Sequence, residues 1–418
     1  MRGRPQPQPS GVDDGGIQQE LDALMARLTE ASATNVGFPA ATDFDFTPLA
    51  GFFARFLLNN LGDPAVDGDY PNHTKAAERE AVNTVADLLR APTDDRWGYV
   101  TTGATEGTEY ALWQARTRYP SGVVYHSAAA HHSVTGVLDR LAMRSIRVRA
   151  DQRGEIDYDD LAEQIGQRRD RPVIIVASVG TAMSEAVDDV CRITSILDDL
   201  AVDKRWIHAD AALSGIPLAV LDPQQRPGFD FEDGATSIIV SGHKFPGSPI
   251  PYGVVVLRDS HRAFPTRPST YTGSPDSTLT NSRSGLAALC LWYTLRCFGV
   301  AGLRARAEAS RALAAYAHGQ LIQIGWPAHR HPHAFTVVLR SPSAVVARKW
   351  ALATHDGLSH IVCMPGITRD QIDALIADLR AGPAPDGQAL PAAGLDRRRG
   401  GGLGALVPAQ RPAEAGAR

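Results

Sequence analysis

A lysine stands where two apolar segments of this sequence meet. The run Ile238-Ile239-Val240 ends in Ser241-Gly242-His243-Lys244, and after a bend rich in glycine and proline a second apolar run covers 253–257. Burying an ammonium group is costly unless it is paired or loses its charge, so a lysine in this setting is often a nucleophile. The alternative is a lysine exposed on a loop, but the tight bend and the strand after it argue against that. Few lysines compete for the role, because only four of the 42 basic residues are lysines: Lys75, Lys204, Lys244 and Lys349.

Two other segments place chemically useful groups after predicted strands. Asp210, in His208-Ala209-Asp210-Ala211-Ala212, lies at the end of a predicted buried strand. There it would face the crevice in which parallel sheets bind ligands, although a helix N-cap is an alternative role. The segment 103–107, Gly-Ala-Thr-Glu-Gly, lies between a strand and a helix, where backbone N–H groups can bind an anion. On its own, a plain tight turn explains that segment equally well.

The three signals together are what a pyridoxal phosphate (PLP) site requires. The glycine segment would bind the phosphate, the aspartate would keep the pyridine nitrogen protonated, and the lysine would form a Schiff base. A nicotinamide-dependent short-chain enzyme is the alternative, because "TGATEG" resembles the start of its glycine motif. Glu109 stands where the third glycine belongs, however, and no Tyr-x-x-x-Lys follows. The sequence therefore predicts a PLP site at the edge of a sheet.

The order of elements predicts an α/β protein. From about Trp97 to Leu257, apolar strand-like runs alternate with helical patterns, which is typical of a mostly parallel sheet covered on both faces. A helical tract from Leu286 to Ile322 and shorter strand-like pieces indicate a smaller α+β domain. We predict a disordered tail over 1–16, an N-terminal arm over 17–80, a large PLP-binding domain over 81–258, a loop and small C-terminal domain over 259–380, and a disordered tail over 381–418.

Composition excludes several classes of function. The 418 residues are 44% hydrophobic and 21% charged, as in ordinary globular proteins. A net charge of -4 gives no sign of binding to nucleic acid or to an anionic membrane. No apolar run approaches the ~20 residues that span a bilayer, and the segment 1–16 has no apolar core typical of a signal peptide. We therefore expect a cytoplasmic protein without nucleic-acid or membrane partners.

Cysteines and histidines give no metal or disulfide pattern. The four cysteines have no CxxC spacing and are expected to be reduced thiols. His329, His331 and His333 alternate in a segment that contains proline, but no acidic residue or thiol is near in the sequence. We expect no metal site.

Eight segments carry a resemblance to a known family. They are "WGYVTTGATEGTEY", "YPSGVVYHSAAAHHSV", "GEIDYDDL", "GTAMSEAVDD", "WIHADAALSG", "VSGHKFPGSPIPYGV", "NSRSG" and "HIVCMPGIT". Over about residues 36–380 the chain resembles the PLP-dependent group II amino-acid decarboxylases, and within them the short histidine decarboxylases of bacteria and the serine decarboxylases of plants. The resemblance implies PLP fold type I, similar to aspartate aminotransferase, with a mostly parallel seven-stranded sheet and a smaller α+β C-terminal domain. It also implies a homodimer with shared active sites.

The same resemblance implies a role for each matching residue. Lys244 would form the Schiff base, and Asp210 would bind the pyridine nitrogen of PLP. His131 and Ala212 would lie on the two faces of the ring, with Thr181 near its edge. The phosphate would be held by Gly103, Ala104, Thr105, Ser241 and His243.

The residue that supplies the final proton is less well defined by sequence. Tyr271, 27 residues after Lys244, resembles the mobile-loop tyrosine that donates this proton in the family. An ordinary loop tyrosine is the alternative, and His131 is a second candidate proton donor.

Several departures from the family pattern fall near the expected substrate site. Relatives carry asparagines where this chain has Ala41 and Asp43, polar or acidic residues where it has Ala128-Ala129-Ala130, and a threonine where it has Ala182. We expect Ala41, Asp43 and His73 to contact the substrate. The departures put both histidine and serine in doubt as substrates.

The predicted activity is decarboxylation of an L-amino acid to its amine and carbon dioxide. One alternative is decarboxylation coupled to oxidative deamination, which gives an aldehyde and in relatives accompanies loss of the loop tyrosine that Tyr271 matches. A second alternative is a non-catalytic PLP-fold binding protein. The presence of Lys244 and Asp210 disfavours it.

Overall fold

The computed structural model describes residues 14–263 and 269–382. The helices are α1 Asp14–Ala33, α2 Ala50–Arg55, α3 Lys75–Leu88, α4 Ala104–Arg118, α5 His132–Arg140, α6 Tyr158–Gly166, α7 Val190–Asp199, α8 Gly215–Ala219, α9 Gly285–Gln323, α10 Ala344–Lys349 and α11 Arg369–Ala381. The strands are β1 Trp97–Thr101, β2 Val123–Ser127, β3 Ser145–Val148, β4 Val173–Ser178, β5 Arg205–Asp210, β6 Ser237–Ser241, β7 Gly253–Leu257, β8 Ala328–His329, β9 Thr336–Arg340, β10 Thr354–His355 and β11 Leu358–Val362.

The large domain is built on a seven-stranded sheet in the order β1-β7-β6-β5-β4-β2-β3. The pairs among β2, β3, β4, β5 and β6 are parallel, while β7 runs antiparallel to both β6 and β1. Every residue of β4 and of β6 is buried, as expected for strands covered on both faces. The predicted mostly parallel sheet of seven strands is confirmed. It brings the carboxyl ends of β1, β4, β5 and β6 and the beginning of β7 to one edge.

The C-terminal domain is the smaller α+β unit that the sequence predicts. Its four-stranded sheet has the order β10-β11-β9-β8, and all its pairs are antiparallel. The helix α11 begins with a capping box. The Thr368 side chain accepts the backbone N–H of Gln371, and the Gln371 side chain accepts the backbone N–H of Thr368. The helix α9 joins the two domains.

The N-terminal arm connects the C-terminal sheet to the edge of the large sheet. The N–H of Val362 in β11 donates to the carbonyl of Val36 at 2.8 Å, and His360 Nε2 lies 2.9 Å from the carbonyl oxygen of Gly37. A few residues further on, the N–H of Ala41 donates to the carbonyl of Lys244 at 3.4 Å. The arm therefore reaches the turn that carries the predicted nucleophile.

Two segment boundaries differ from the sequence prediction. The helix α1 begins at Asp14, inside the predicted disordered tail 1–16; the rest of that tail, and all but residues 381 and 382 of the tail predicted over 381–418, lies outside the described residues. The predicted boundary at 80 falls inside α3, because its buried face is continuous from Lys75 to Ala86.

Within residues 14–263 and 269–382, one helix, α9, is long and apolar enough to cross a membrane by length and composition, although it contains no continuous apolar run of about 20 residues. It is interrupted at Gly299, whose φ of 57° is outside the helical range. It packs against α3, α8 and α11, and its buried residues belong to the main hydrophobic core. These contacts are those of a core helix.

Exposed apolar side chains are concentrated on α1 and on α2 with the two residues after it. We call this set of side chains the N-terminal apolar face. The apolar side chains of α1 recur at helical spacing and are exposed. The exposed side chains of α2 and of the two residues after it are mostly aromatic rings. Its members are Ile17, Leu21, Leu24, Met25, Leu28, Phe52, Phe53, Phe56 and Leu57.

Candidate active site

The predicted nucleophile lies in a short turn at the end of β6. Residues His243–Gly247 form a π-helical turn, here called the Lys244 turn, in which Lys244 has non-helical angles of φ -85° and ψ -105°. Gly247 has φ 87°, a left-handed conformation that glycine adopts easily. Burial lowers the pKa of the Lys244 ammonium, and the carboxylate of Asp210 opposes this effect. The turn therefore holds a lysine whose neutral, nucleophilic form is favoured by its surroundings.

Asp210 and His131 lie within electrostatic reach of Lys244. Asp210 ends β5, paired with Ser178 of β4 and Ile239 of β6. Its Oδ1 also accepts the N–H of Ala212 at 3.3 Å, but the next helix, α8, has Ser214 as its N-cap, so Asp210 does not have the helix-capping role considered from sequence. The pKa of His131 is lowered mainly by burial, with a smaller opposite effect from Asp210. His131 is therefore favoured as a neutral imidazole at neutral pH.

His131 is oriented by its own helix. It is the N-cap of α5, and its Nδ1 accepts the N–H of Ser133 at 3.2 Å and lies 2.7 Å from the Ser133 hydroxyl. This fixes the ring at the beginning of the helix, beside Asp210.

An anion site fits beside Ser241. Across the sheet, Ser241 pairs with Gly253, and Gly253 pairs with Thr101. A Cβ at Gly253 would lie 3.1 Å from the N of Ala104, so any side chain there would fill the space at the beginning of α4. No side chain caps α4, and the buried Oγ of Ser241 has no hydrogen-bond partner in the described structure. A phosphate would satisfy both the helix N-terminus and this hydroxyl.

The remaining predicted phosphate ligands lie around the same point. Gly103 and Ala104 begin α4, and Thr105 is exposed in its first turn. His243 Nδ1 lies 2.9 Å from the carbonyl oxygen and 3.2 Å from the N of Tyr252, which leaves Nε2 as the nitrogen for a ligand. The carbonyl of Ala212 accepts the N–H of Ser241 at 3.2 Å. The residues present therefore fit PLP.

A cavity of about 320 Å³ lies beside His131. Thr181 lines it, with its Oγ1 accepting the N–H of Ala186 at 3.0 Å. The departures Ala128-Ala129-Ala130 and Ala182 also line it, together with Met183. Among the residues that the structure describes, its lining contains four histidines but no aspartate, glutamate, lysine or arginine. The residues that set this chain apart from the family pattern thus make an uncharged cavity.

The residues predicted to contact substrate have different surroundings. Ala41 is buried and bonded to the Lys244 turn. Asp43 is bound to Arg306 through both carboxylate oxygens. His73 lies just before α3, where its Nδ1 accepts the N–H of Lys75 at 3.3 Å. Of the three, the structure brings only Ala41 into contact with the backbone of Lys244.

Tyr271 is not enclosed by its own chain. Its side chain is 93% exposed, in a turn next to Thr272, whose carbonyl accepts the N–H of Asp69 at 2.9 Å. Within one chain it therefore does not join Lys244 and Asp210.

Three features of this region gave no usable signal in the sequence. Lys75 is a second buried lysine, and its Nζ donates to the carbonyl of Val66 and to Ser274 Oγ. The neighbouring pair Glu78–Arg283 is also buried. The motif "NSRSG" contains Arg283 but does not indicate this pairing. Arg306, below the Lys244 turn, is one arginine among many in a helical tract.

The alternating histidines do not form a metal site. Nε2 of His331 lies 2.9 Å from the carbonyl oxygen of Arg153. Over residues 14–263 and 269–382, no group of three histidine, cysteine or acidic side chains is arranged to hold a metal ion. All four cysteines are free, with Cys290 and Cys363 buried and Cys191 and Cys297 exposed.

A lysine, an aspartate, an imidazole and an anion site at one edge of this sheet define a PLP enzyme of fold type I. Comparison with known proteins agrees. The family model described as "Pyridoxal-dependent decarboxylase conserved domain" matches residues 47–325, two thirds of the chain. The chain belongs to the pyridoxal-dependent decarboxylase family. It is an amino-acid decarboxylase with PLP as its cofactor.

Individual relatives cover nearly the whole chain. A histidine decarboxylase of Mesorhizobium japonicum is 42% identical over 86% of this chain and 96% of its own length. Serine decarboxylase 2 of Oryza sativa is 36% identical over 87% of this chain and 78% of its own length. Among solved structures, L-methionine decarboxylase from Streptomyces sp. 590 aligns with a TM-score of 0.82 and 27% identity, covering 90% of this chain and 96% of that one.

Proposed function

We propose that this decarboxylase acts on an L-amino acid with an uncharged side chain, and that Lys244, Asp210 and His131 are its central residues. The observation that carries the roles is their convergence: the two strands that end at Asp210 and Ser241 are neighbours, and the charge of Asp210 acts on both Lys244 and His131. PLP, when bound, supplies the electron sink that lets the bond between Cα and the carboxylate break.

Each residue has a defined task in this proposal. The Lys244 amine holds the cofactor and gives way to the amine of the substrate, and Asp210 holds a proton on the pyridine nitrogen. His131 and Ala212 would contact the two faces of the ring, and Thr181 would lie near its edge. The hydroxyl of Ser241, His243 Nε2 and the first N–H groups of α4, from Gly103 to Thr105, would hold the phosphate. Because the imidazole of His131 is favoured in its neutral form, it contributes a polar surface to the site without adding a positive charge.

The uncharged cavity supports the proposed substrate class. A carboxylate or ammonium group on the side chain of a substrate would find no aspartate, glutamate, lysine or arginine among the described residues that line the cavity. Histidine, serine and methionine, which appear in the names of the relatives, have side chains that are mainly neutral at pH 7. Histidine is the first substrate to test, because the 42% identical relative is a histidine decarboxylase.

A homodimer with shared active sites completes the proposal. Exposed apolar side chains recur at helical spacing along α1, which isolated exposed residues do not explain, and we propose that a second copy of the chain covers the N-terminal apolar face. The exposed Tyr271 would then enter the active site of the partner and donate a proton to Cα from its Oη. The double variant Leu21→Asp/Met25→Asp should shift the protein to monomers in sedimentation analysis, whereas Gln19→Asp on the same helix should not. Dimers in both variants would contradict this interface.

We also propose a cytoplasmic enzyme without membrane or nucleic-acid partners. Support comes from the packing of α9 into the core and from the net charge of -4. Fractionation of cells that express the full chain, followed by immunoblotting, tests the location; recovery in the membrane fraction would contradict it.

The decisive experiment is a substrate screen by mass spectrometry. Purified protein with PLP is incubated with each standard amino acid, and loss of carbon dioxide is followed together with any aldehyde. A single amine from an uncharged substrate supports the proposal. Preferred turnover of glutamate, aspartate, lysine or arginine would overturn the substrate class, and an aldehyde product would overturn simple decarboxylation.

A further inference from the structure

Arg306 of α9 lies directly against the Lys244 turn. Its Nη1 donates to the carbonyl of Pro246 at 3.3 Å, and its guanidinium carbon lies 5.2 Å from the ring centre of Phe245 and 4.3 Å from that of Phe298. The side chain of Arg306 is only 9% exposed. One arginine therefore contacts the two residues that follow Lys244 in the chain.

Asp43 of the N-terminal arm binds this arginine from the other side. Arg306 Nε donates to Oδ2 of Asp43 at 2.7 Å, and Nη2 donates to Oδ1. A bidentate pair of this kind fixes orientation as well as distance. The carboxylate is partly exposed, at 30%, but both of its oxygens are engaged.

The arm also touches the turn through its backbone and its neighbouring side chains. The N–H of Ala41 donates to the carbonyl of Lys244 itself, at 3.4 Å. A Cβ built on Gly247 would lie 3.0 Å from the Phe44 ring and 3.4 Å from the Cβ of Ala41. The arm is held in turn by the C-terminal domain, because the N–H of Thr42 donates to the carbonyl of Pro365 at 2.9 Å. The arm and α9 thus both contact the turn, and the C-terminal domain holds the arm in place.

We propose that Asp43 and Arg306 are positioning residues that fix the backbone of the Lys244 turn, so that the amine of Lys244 is presented to the cofactor in one geometry. Because Lys244 departs from helical angles, regular helical hydrogen bonds do not define its position. The contacts that Arg306 makes with the turn, while Asp43 holds Arg306 in place, define that position instead. In this role Asp43 acts through Arg306, in place of the substrate contact expected from the sequence. The inference rests on the proposed role of Lys244.

The test compares the pair with a matched ion pair on the same helix. Arg304, two residues earlier in α9, is bound to Asp222 at 2.7 Å, and both are exposed. Asp43→Asn and Asp43→Ala are therefore measured beside Asp222→Asn and Asp222→Ala, with Arg306→Lys as the conservative variant on the other side. Three readouts are used: the rate at which apoenzyme attaches PLP to Lys244, the pH titration of the visible absorbance of the lysine-bound cofactor, and kcat with KM.

The expected result is specific to the geometry of Lys244. Removing a charge-assisted hydrogen bond to a positioned group should slow PLP attachment by about 10-fold in Asp43→Ala and lower kcat by about 10- to 100-fold with KM little changed. The pH midpoint of the absorbance titration should shift in Asp43→Ala and Asp43→Asn. In all three readouts, Arg306→Lys should fall between these variants and the wild type. The Asp222 variants should match the wild type in all three readouts.

Two outcomes would overturn the inference. One is a rise in KM with unchanged attachment rate and kcat, which would make Asp43 a substrate contact. The other is wild-type attachment, titration and kcat in Asp43→Asn, which decides the question if Asp43→Ala does not fold. Lys244→Ala, measured in parallel, separates the two levels: retained turnover there would refute the proposed function itself, whereas loss of turnover there with wild-type Asp43 variants would refute only the positioning role.

Discussion

Ser241 and Gly253 face each other across β6 and β7, and the hydroxyl of Ser241 is buried there with no hydrogen-bond partner among the described residues. Leaving a buried hydroxyl unpaired costs free energy of folding. The absence of a side chain at Gly253 keeps space open between this hydroxyl and the N-terminus of α4. The pair is therefore arranged for a ligand, and the phosphate of PLP meets its requirements.

Replacing Ser241 by alanine should have opposite effects on cofactor binding and on the apoenzyme. Loss of a hydrogen bond to a charged phosphate should raise the Kd for PLP by about 10-fold or more. The apoenzyme should become slightly more stable, because an unpaired buried hydroxyl is removed. Titration of apoenzyme with PLP and thermal unfolding measure the two effects. Ser195→Ala, on the exposed side of α7, is the control. An unchanged Kd would show that Ser241 does not contact the phosphate.

Asp210→Asn should separate cofactor binding from catalysis. The amide can occupy the same position at the end of β5, but it cannot hold a proton on the pyridine nitrogen by charge. We expect PLP to remain bound while kcat falls by about 100-fold or more. Absorbance spectra and steady-state kinetics measure this, with the exposed Asp203→Asn as the control. Full activity in Asp210→Asn would reduce Asp210 to its local hydrogen bond with Ala212.

Glu185 makes the stability of the apoenzyme depend on pH. Burial raises its pKa from 4.5 to about 7, while Ser214, Phe335 and Thr336 hydrogen-bond to it. Because the folded state holds this proton more tightly than the unfolded state, its stabilising contribution is complete below pH 4.5 and is lost as pH rises through 7. The difference between these two pKa values corresponds to at most about 3 kcal/mol in the free energy of unfolding.

Glu185→Gln should therefore become more stable than the wild type as pH rises. Its amide oxygen can accept the N–H groups of Phe335 and Thr336, and its NH2 group can donate to Ser214 Oγ. Its free energy of unfolding should therefore rise by about 1–3 kcal/mol relative to that of the wild type between pH 4.5 and 8. Asp188, whose pKa burial also raises to about 7, leaves a slope of the same sign in both proteins. Urea unfolding of both proteins at several pH values, at one protein concentration, measures the difference in their free energies of unfolding. A constant difference across this range would show that Glu185 stays ionised.

Tyr271 should act on the active site of the other subunit. Tyr271→Phe should slow amine formation or divert it to aldehyde, and Lys244→Ala should abolish turnover. Co-expression of the two single variants should restore activity to about a quarter of wild type, because half of the dimers are mixed and each mixed dimer has one intact site. No recovery in purified mixed dimers would place the function of Tyr271 within its own chain, or elsewhere.

The main site could be predicted because its residues follow strands. Asp210 and Lys244 come directly after buried apolar runs, and the carboxyl ends of neighbouring parallel strands meet at one edge whatever the loop lengths. The helix after Gly103 was recognisable for the same reason. Local sequence is sufficient where the backbone direction alone places a residue.

The contacts of the arm could not be predicted in this way. Asp43 and Arg306 are 263 residues apart, and each is unremarkable in its own segment. The burial of Lys75 depends on loops that close over α3 from both Val66 and Ser274. The exposure of Tyr271 is likewise a property of one chain by itself. Such features depend on tertiary and quaternary packing, which no local pattern records.

The scarcity of lysine has a practical consequence for handling this enzyme. Lys75 is fully buried and Lys244 is half-buried, whereas Lys204 and Lys349 are exposed. With PLP attached to Lys244 as proposed, amine-reactive dyes, crosslinkers and surface-coupling reagents should therefore modify the described residues chiefly at these two exposed positions. Both exposed lysines lie outside the sheet edge that holds Asp210 and Ser241, in the loop before β5 and at the end of α10. The PLP-bound protein is thus suited to attachment through its exposed side-chain amines with the Lys244 amine left unmodified.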